Sequence, residues 1–80
     1  MEVSFNFGLL RERIKNAFST QENFADALGI GRTSLNQRLN NVSEFSSKEI
    51  LKSCELLNIS LEDIPIYFFT LNVQKHEQMS

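Results

Sequence analysis

Gln21-Glu22-Asn23-Phe24-Ala25-Asp26-Ala27-Leu28-Gly29-Ile30-Gly31-Arg32-Thr33-Ser34-Leu35-Asn36-Gln37-Arg38-Leu39-Asn40 is the stretch that decides the fold. Phe24, Ala25 and Leu28 fall at helical spacing, and Thr20 precedes them where a hydroxyl can cap free helix amides. Gly29 follows Leu28 directly, as a helix that must stop and turn sharply requires, because glycine takes positive φ without steric cost. A second helix then runs from about Arg32 to Leu39, with Leu35 and Leu39 on one side and Arg32, Thr33, Asn36 and Gln37 on the other. Ala25 is small where the two helices cross, while Phe24, Leu28, Ile30, Leu35 and Leu39 pack inward and set their angle.

Upstream, Leu10, Ile14, Ala17 and Phe18 recur at spacings of three and four, with Arg11, Glu12, Arg13 and Lys15 between them, describing an amphipathic helix that ends near Ser19. Downstream, Asn40 to Phe45 reads as polar and turn-forming. Ser46 with Glu49 gives a capping-box pattern opening another helix, whose expected buried stripe is Ile50, Leu51, Cys54 and Leu57 and which Asn58 can end. Ser60 and Leu61-Glu62-Asp63-Ile64 read as a last helical turn checked by Pro65. The expected fold is all-α, with five helical contributors to one core.

The two ends follow a different period. Val3, Phe5 and Phe7 alternate with Ser4 and Asn6, and Phe69, Leu71 and Val73 alternate with Thr70, Asn72 and Gln74, which is a strand signal. Three arrangements fit: a small two-stranded ribbon formed by the termini, pairing of one end across a dimer, or a frayed tail after Phe69. Residues from about 74 to 80 read as tail.

Eighty residues accommodate one domain, with no volume for a buried substrate cavity of ordinary size, which argues against an enzyme. Cys54 is the single cysteine and lies on an apolar helix face, so core packing is its expected role, and His76 has no companion ligand nearby. No metal or cofactor is expected. Neither a basic leader nor a long apolar run is present, so the expected location is the cytoplasm, with no membrane partner. The net charge of -2 runs against a nucleic-acid binder, although Ala27 to Ser43 holds Arg32 and Arg38 and no acid.

Gln21, Phe24, Ala25, Leu28 and Gly29, followed by the inward Ile30, Leu35 and Leu39, resemble the helix-turn-helix unit of the Cro and lambda-type repressor family of temperate phages. The resemblance covers residues about 7 to 64, because that family places one helix before the unit and two after it. Arg38 departs from the pattern where many members carry an apolar residue, and Asn40-Asn41 replaces the common Asn-Gly. In size the chain is similar to the short early-switch proteins of such phages, either Cro-like operator binders or modulators of the main repressor.

The resemblance implies a double-stranded DNA operator, an inverted repeat read by a homodimer whose recognition helices lie about 34–36 Å apart. Arg32, Thr33, Asn36 and Gln37 would contact bases, since Arg matches guanine and Asn or Gln matches adenine in the major groove. Gln21, Arg38, Asn40, Asn41 and Ser43 would approach phosphates and set position rather than sequence preference. The competing reading is a protein-binding modulator or antirepressor that complexes a phage repressor. Its candidate surface, which is also the candidate dimer surface, is Ile66, Tyr67, Phe69, Leu71 and Val73, the most apolar part of the chain. Closure of the core by that segment is the structural alternative. Arg11, Arg13, Lys15, Lys48 and Lys52 are expected to solvate helix faces.

Overall fold

The computed structural model describes residues 3–72. The order is α1 (Gly8–Phe18), α2 (Gln21–Leu28), α3 (Arg32–Leu39), α4 (Ser47–Leu57), a 3-10 turn (Leu61–Asp63) and α5 (Ile64–Phe68). The all-α reading holds. α1 packs against α2, α4 and α5, and α2 against α3 and α4. Leu10, Ile14, Phe24, Ala25 and Leu35 are fully buried where these helices meet.

The helix ends follow the local chemistry. Thr20 Oγ1 accepts from the Asn23 amide, and Gly29 ends α2 at φ 89°, where its amide donates to the Ala25 carbonyl. Ser46 and Glu49 form a reciprocal capping box on α4, and Asn58 ends that helix in the left-handed region at φ 58°. Cys54 is buried, and its burial pushes the thiol pKa up.

Three expectations need correction. Leu51 is 54% exposed and not part of the α4 stripe. The inward positions are Ile50, Ser53, Cys54 and Leu57, spaced three and four apart, and Leu51 is rotated one step off that face. Ala17 likewise faces solvent on α1. Pro65 does not check a helix: it sits in the first turn of α5, where its missing N–H costs no hydrogen bond, and the helix continues to Phe68.

The termini do meet, but as one antiparallel bridge between Phe5 and Leu71 and not as a sheet. The Asn6 amide donates to the Thr70 carbonyl at 2.7 Å and the Asn72 amide to Ser4 at 3.0 Å. Asn72 Nδ2 adds a bond to Ser4 Oγ across the polar face. Val73, His76 and the expected tail from about residue 74 lie outside the described residues.

Candidate recognition surface

Arg32, Thr33, Asn36 and Gln37 are all exposed on the outer side of α3, as the helical spacing requires. Leu35 and Leu39 anchor the opposite side, so the four polar residues form one row. Asn36 is not fully available: its Oδ1 and its backbone carbonyl both accept from Asn40 Nδ2, at 3.1 and 2.9 Å. A bidentate grip on adenine would have to break the first of these bonds.

The phosphate candidates sit differently from their sequence reading. The Arg38 guanidinium is bidentate on Glu49 of α4, at 2.8 and 3.2 Å, and also donates to the Ser34 carbonyl. Burial alone would raise the Glu49 carboxyl. The Arg38 hydrogen bond, the Ser46 amide and the Arg38 charge outweigh it and hold the group below its ordinary value. Asn40 accepts from Arg11. Asn41 takes φ 64°, and its amide closes on the Phe5 backbone, accepting from the N–H at 2.8 Å and donating to the carbonyl at 2.9 Å. Ser43 is half-buried, with its Oγ unpartnered, and Gln21 is half-buried at the start of α2.

Two cations expected to be solvated are also engaged. Arg11 donates to the Leu39 carbonyl at the end of α3, a favourable place for positive charge. Arg13 donates to the Leu57 and Asn58 carbonyls at the end of α4 and to the Tyr67 hydroxyl, its guanidinium lying 5.7 Å from that ring. The exposed face of α2 carries Glu22 and Asp26 and no cation.

A second surface lies at the termini. Ile66, Phe69 and Leu71 are about half exposed, at 50, 48 and 58%, and Tyr67 is held by Arg13. Of these, Phe69 lines a cleft of about 220 Å³ together with Val3, Phe5, Phe7, Phe45 and Phe68, whose remaining wall includes Asn41, Ser43 and Glu44. Edge-to-face contacts join Phe69 to Phe5 at 5.6 Å, Phe7 to Phe45 at 5.6 Å and Phe45 to Phe68 at 5.3 Å. Val3, Phe5 and Phe45 are members that sequence reasoning missed. Phe45 stands in a segment read as polar turn, where an isolated aromatic was the one available signal.

A family model described as "Protein of unknown function (DUF739)" matches residues 3–71. The chain belongs to the DUF739 family. No curated protein matches it. Among solved structures it is similar to the modulator of repression of the temperate bacteriophage TP901-1 from Lactococcus lactis. That match has a TM-score of 0.75 and 34% identity, and covers 89% of this chain and 96% of the other. This DUF739 chain therefore shares its fold with a small phage regulatory protein along nearly all of both chains. The finer likeness to Cro and lambda-type repressors remains a resemblance carried by residues 21 to 40.

Proposed function

We propose that this DUF739 protein is a phage switch regulator that acts by binding a repressor protein, with weak DNA affinity of its own. The observation that carries this reading is the state of the DNA-side donors. Arg38, Asn40 and Asn41 are engaged within the chain, and α2, the helix that would cross the DNA backbone in a docked helix-turn-helix, exposes Glu22 and Asp26 and no cation. Phosphate neutralisation supplies most non-specific affinity, and this face leaves Arg32 as its exposed cation. The open aromatic cleft, and the exposed Ile66, Phe69 and Leu71 of the C-terminal segment, offer the apolar anchors that protein interfaces favour. The similarity to a modulator of repression supports the same reading. The role is non-enzymatic, needs no cofactor or metal, and is exercised in the host cytoplasm. Among the described residues no helix is long and apolar enough to cross a membrane.

A direct operator-binding role is the second reading, favoured by the exposed row Arg32, Thr33, Asn36 and Gln37. It requires a homodimer on an inverted repeat. The deciding experiment adds the protein to a phage repressor already bound to its operator and follows release of the DNA. A parallel selection on a random duplex pool is run at low and near-physiological salt. The modulator reading expects release of the repressor, loss of that release in Phe69→Asp, and no enriched sequence. Enrichment of an inverted repeat that Arg32→Ala abolishes would overturn it.

A further inference from the structure

In an antiparallel pair without mutual hydrogen bonds, each residue directs its own N–H and C=O away from its partner. Phe5 and Leu71 form such a pair, since the bonds run from Asn6 to Thr70 and from Asn72 to Ser4. Both outward groups of Phe5 are closed by the Asn41 amide, which acts as a one-residue substitute for a further strand. The equivalent groups of Leu71 point to the opposite side, and no described residue bonds to them. Among the described residues the ribbon therefore has one closed edge and one open edge.

We propose that the open edge at Leu71 pairs antiparallel with the same edge of a second copy of this chain. Leu71 would lie opposite Leu71 of the other copy across a twofold axis, each N–H donating to the other's C=O. An antiparallel segment is self-complementary, so a closed dimer needs no second kind of surface. Charge selects this occupant. The molecule is acidic overall, yet no charged residue occurs from Val3 to Leu10 or from Ile64 to Gln74, so the paired segments of two copies meet without like-charge repulsion, with Glu44 across the cleft on the Asn41 side. Val3, Phe69 and Leu71 stand 62, 48 and 58% exposed on the ribbon's apolar side and would be covered by the same contact. The edge carries none of the lysines, prolines or bulges that commonly keep exposed strands apart. The contact shares Phe69 and Leu71 with the surface assigned to the repressor, so dimer and repressor complex would compete, and the sedimentation test is run without repressor so that either can fail alone.

The test is sedimentation velocity on the full chain between about 10 μM and 1 mM, the range of a weak dimer. It is repeated with Leu71→Lys, which sets like charges opposite each other, and with Leu71→Pro, which removes the outward N–H together with the leucyl side chain and fixes φ. The proposal expects a concentration-dependent dimer, weakened at least about tenfold in both variants, with helical circular dichroism unchanged. The Leu71 amide should also exchange more slowly as concentration rises. If Leu71→Pro unfolds, Leu71→Lys carries the test, because its backbone donors are intact and its side chain is exposed. A monomer at every concentration overturns the proposal, and so does a dimer that both folded variants leave unchanged.

Discussion

Glu49→Ala should be the most informative single substitution outside the apolar core. Glu49 accepts two hydrogen bonds from Arg38 and one from the Ser46 amide, so one carboxylate ties α3 to the start of α4 and completes that helix's cap. The side chains of the pair are 19 and 18% exposed, between the fully wet case, where an ion pair contributes less than about 1 kcal/mol, and the buried case, where breaking one costs about 3–5 kcal/mol. With the weakened cap added, an overall loss of about 2–3 kcal/mol is expected. In a domain this small that lowers Tm by roughly 10–20 °C. The assay is thermal unfolding by circular dichroism at pH 7 and in acid, alongside a double-mutant cycle with Arg38→Ala. Because the folded state lowers the carboxyl pKa below the ordinary value of 4.5, its contribution is present above that pH and fades as pH falls through the folded value. The gap between wild type and variant should therefore narrow in acid, and the cycle should give a coupling of about 1–2 kcal/mol. A Tm change under about 2 °C, or a loss equally large in acid, would refute this account of the pair.

Other substitutions test other parts of the argument. Asn41→Gly keeps the φ of 64° accessible but loses the clamp on Phe5, whereas Asn41→Ala also incurs left-handed strain, so by denaturant titration Ala should be less stable than Gly by about 1 kcal/mol. Gly29→Ala should cost about 1–2 kcal/mol from its φ of 89° alone, because the nearest atom to an added Cβ is the flexible Lys52 ammonium at 3.9 Å; an unchanged unfolding midpoint would contradict this. Leu35→Ala, at a fully buried position, should cost about 2–5 kcal/mol in the same titration and loosen α3. Arg13→Ala should remove about 1–2 kcal/mol by exposing the α4 carbonyls and freeing Tyr67, with amide exchange near Asn58 and Tyr67 accelerating first.

Much of the backbone was legible because its causes are local. The Thr20 cap, the Gly29 turn, the Ser46–Glu49 box and the Asn58 stop each act within a few residues, so their chemistry can be read from the string itself. The inward row of α3 was legible for the same reason, since spacing alone separates Leu35 and Leu39 from Arg32, Thr33, Asn36 and Gln37. Where spacing was applied loosely it failed: Leu51 was grouped with Ile50, although it lies about 100° round the helix from Ile50, on the side away from the buried Ser53, Cys54 and Leu57. Pro65 was read as a stop because a proline's meaning depends on whether it falls in the first turn or the interior, and that boundary is set by how α5 packs on α1.

The sequence by itself determined that this chain forms short amphipathic helices around a glycine turn, with polar residues on the outer side of α3. Periodicity and caps are properties of neighbouring residues, which is why no tertiary contact was needed to see them. Only the tertiary structure decided which polar side chains remain free for a partner. Arg11 reaches Leu39, Arg13 reaches Leu57, Arg38 reaches Glu49 and Asn41 reaches Phe5, all across chain separations that no local pattern encodes. A hydrogen-bonding group can be engaged from any direction once the helices are packed. Arg38, Asn40 and Asn41, which read as phosphate contacts in the string, are bonded within the fold, while the outer row of α3 and the apolar face at the joined termini stay exposed.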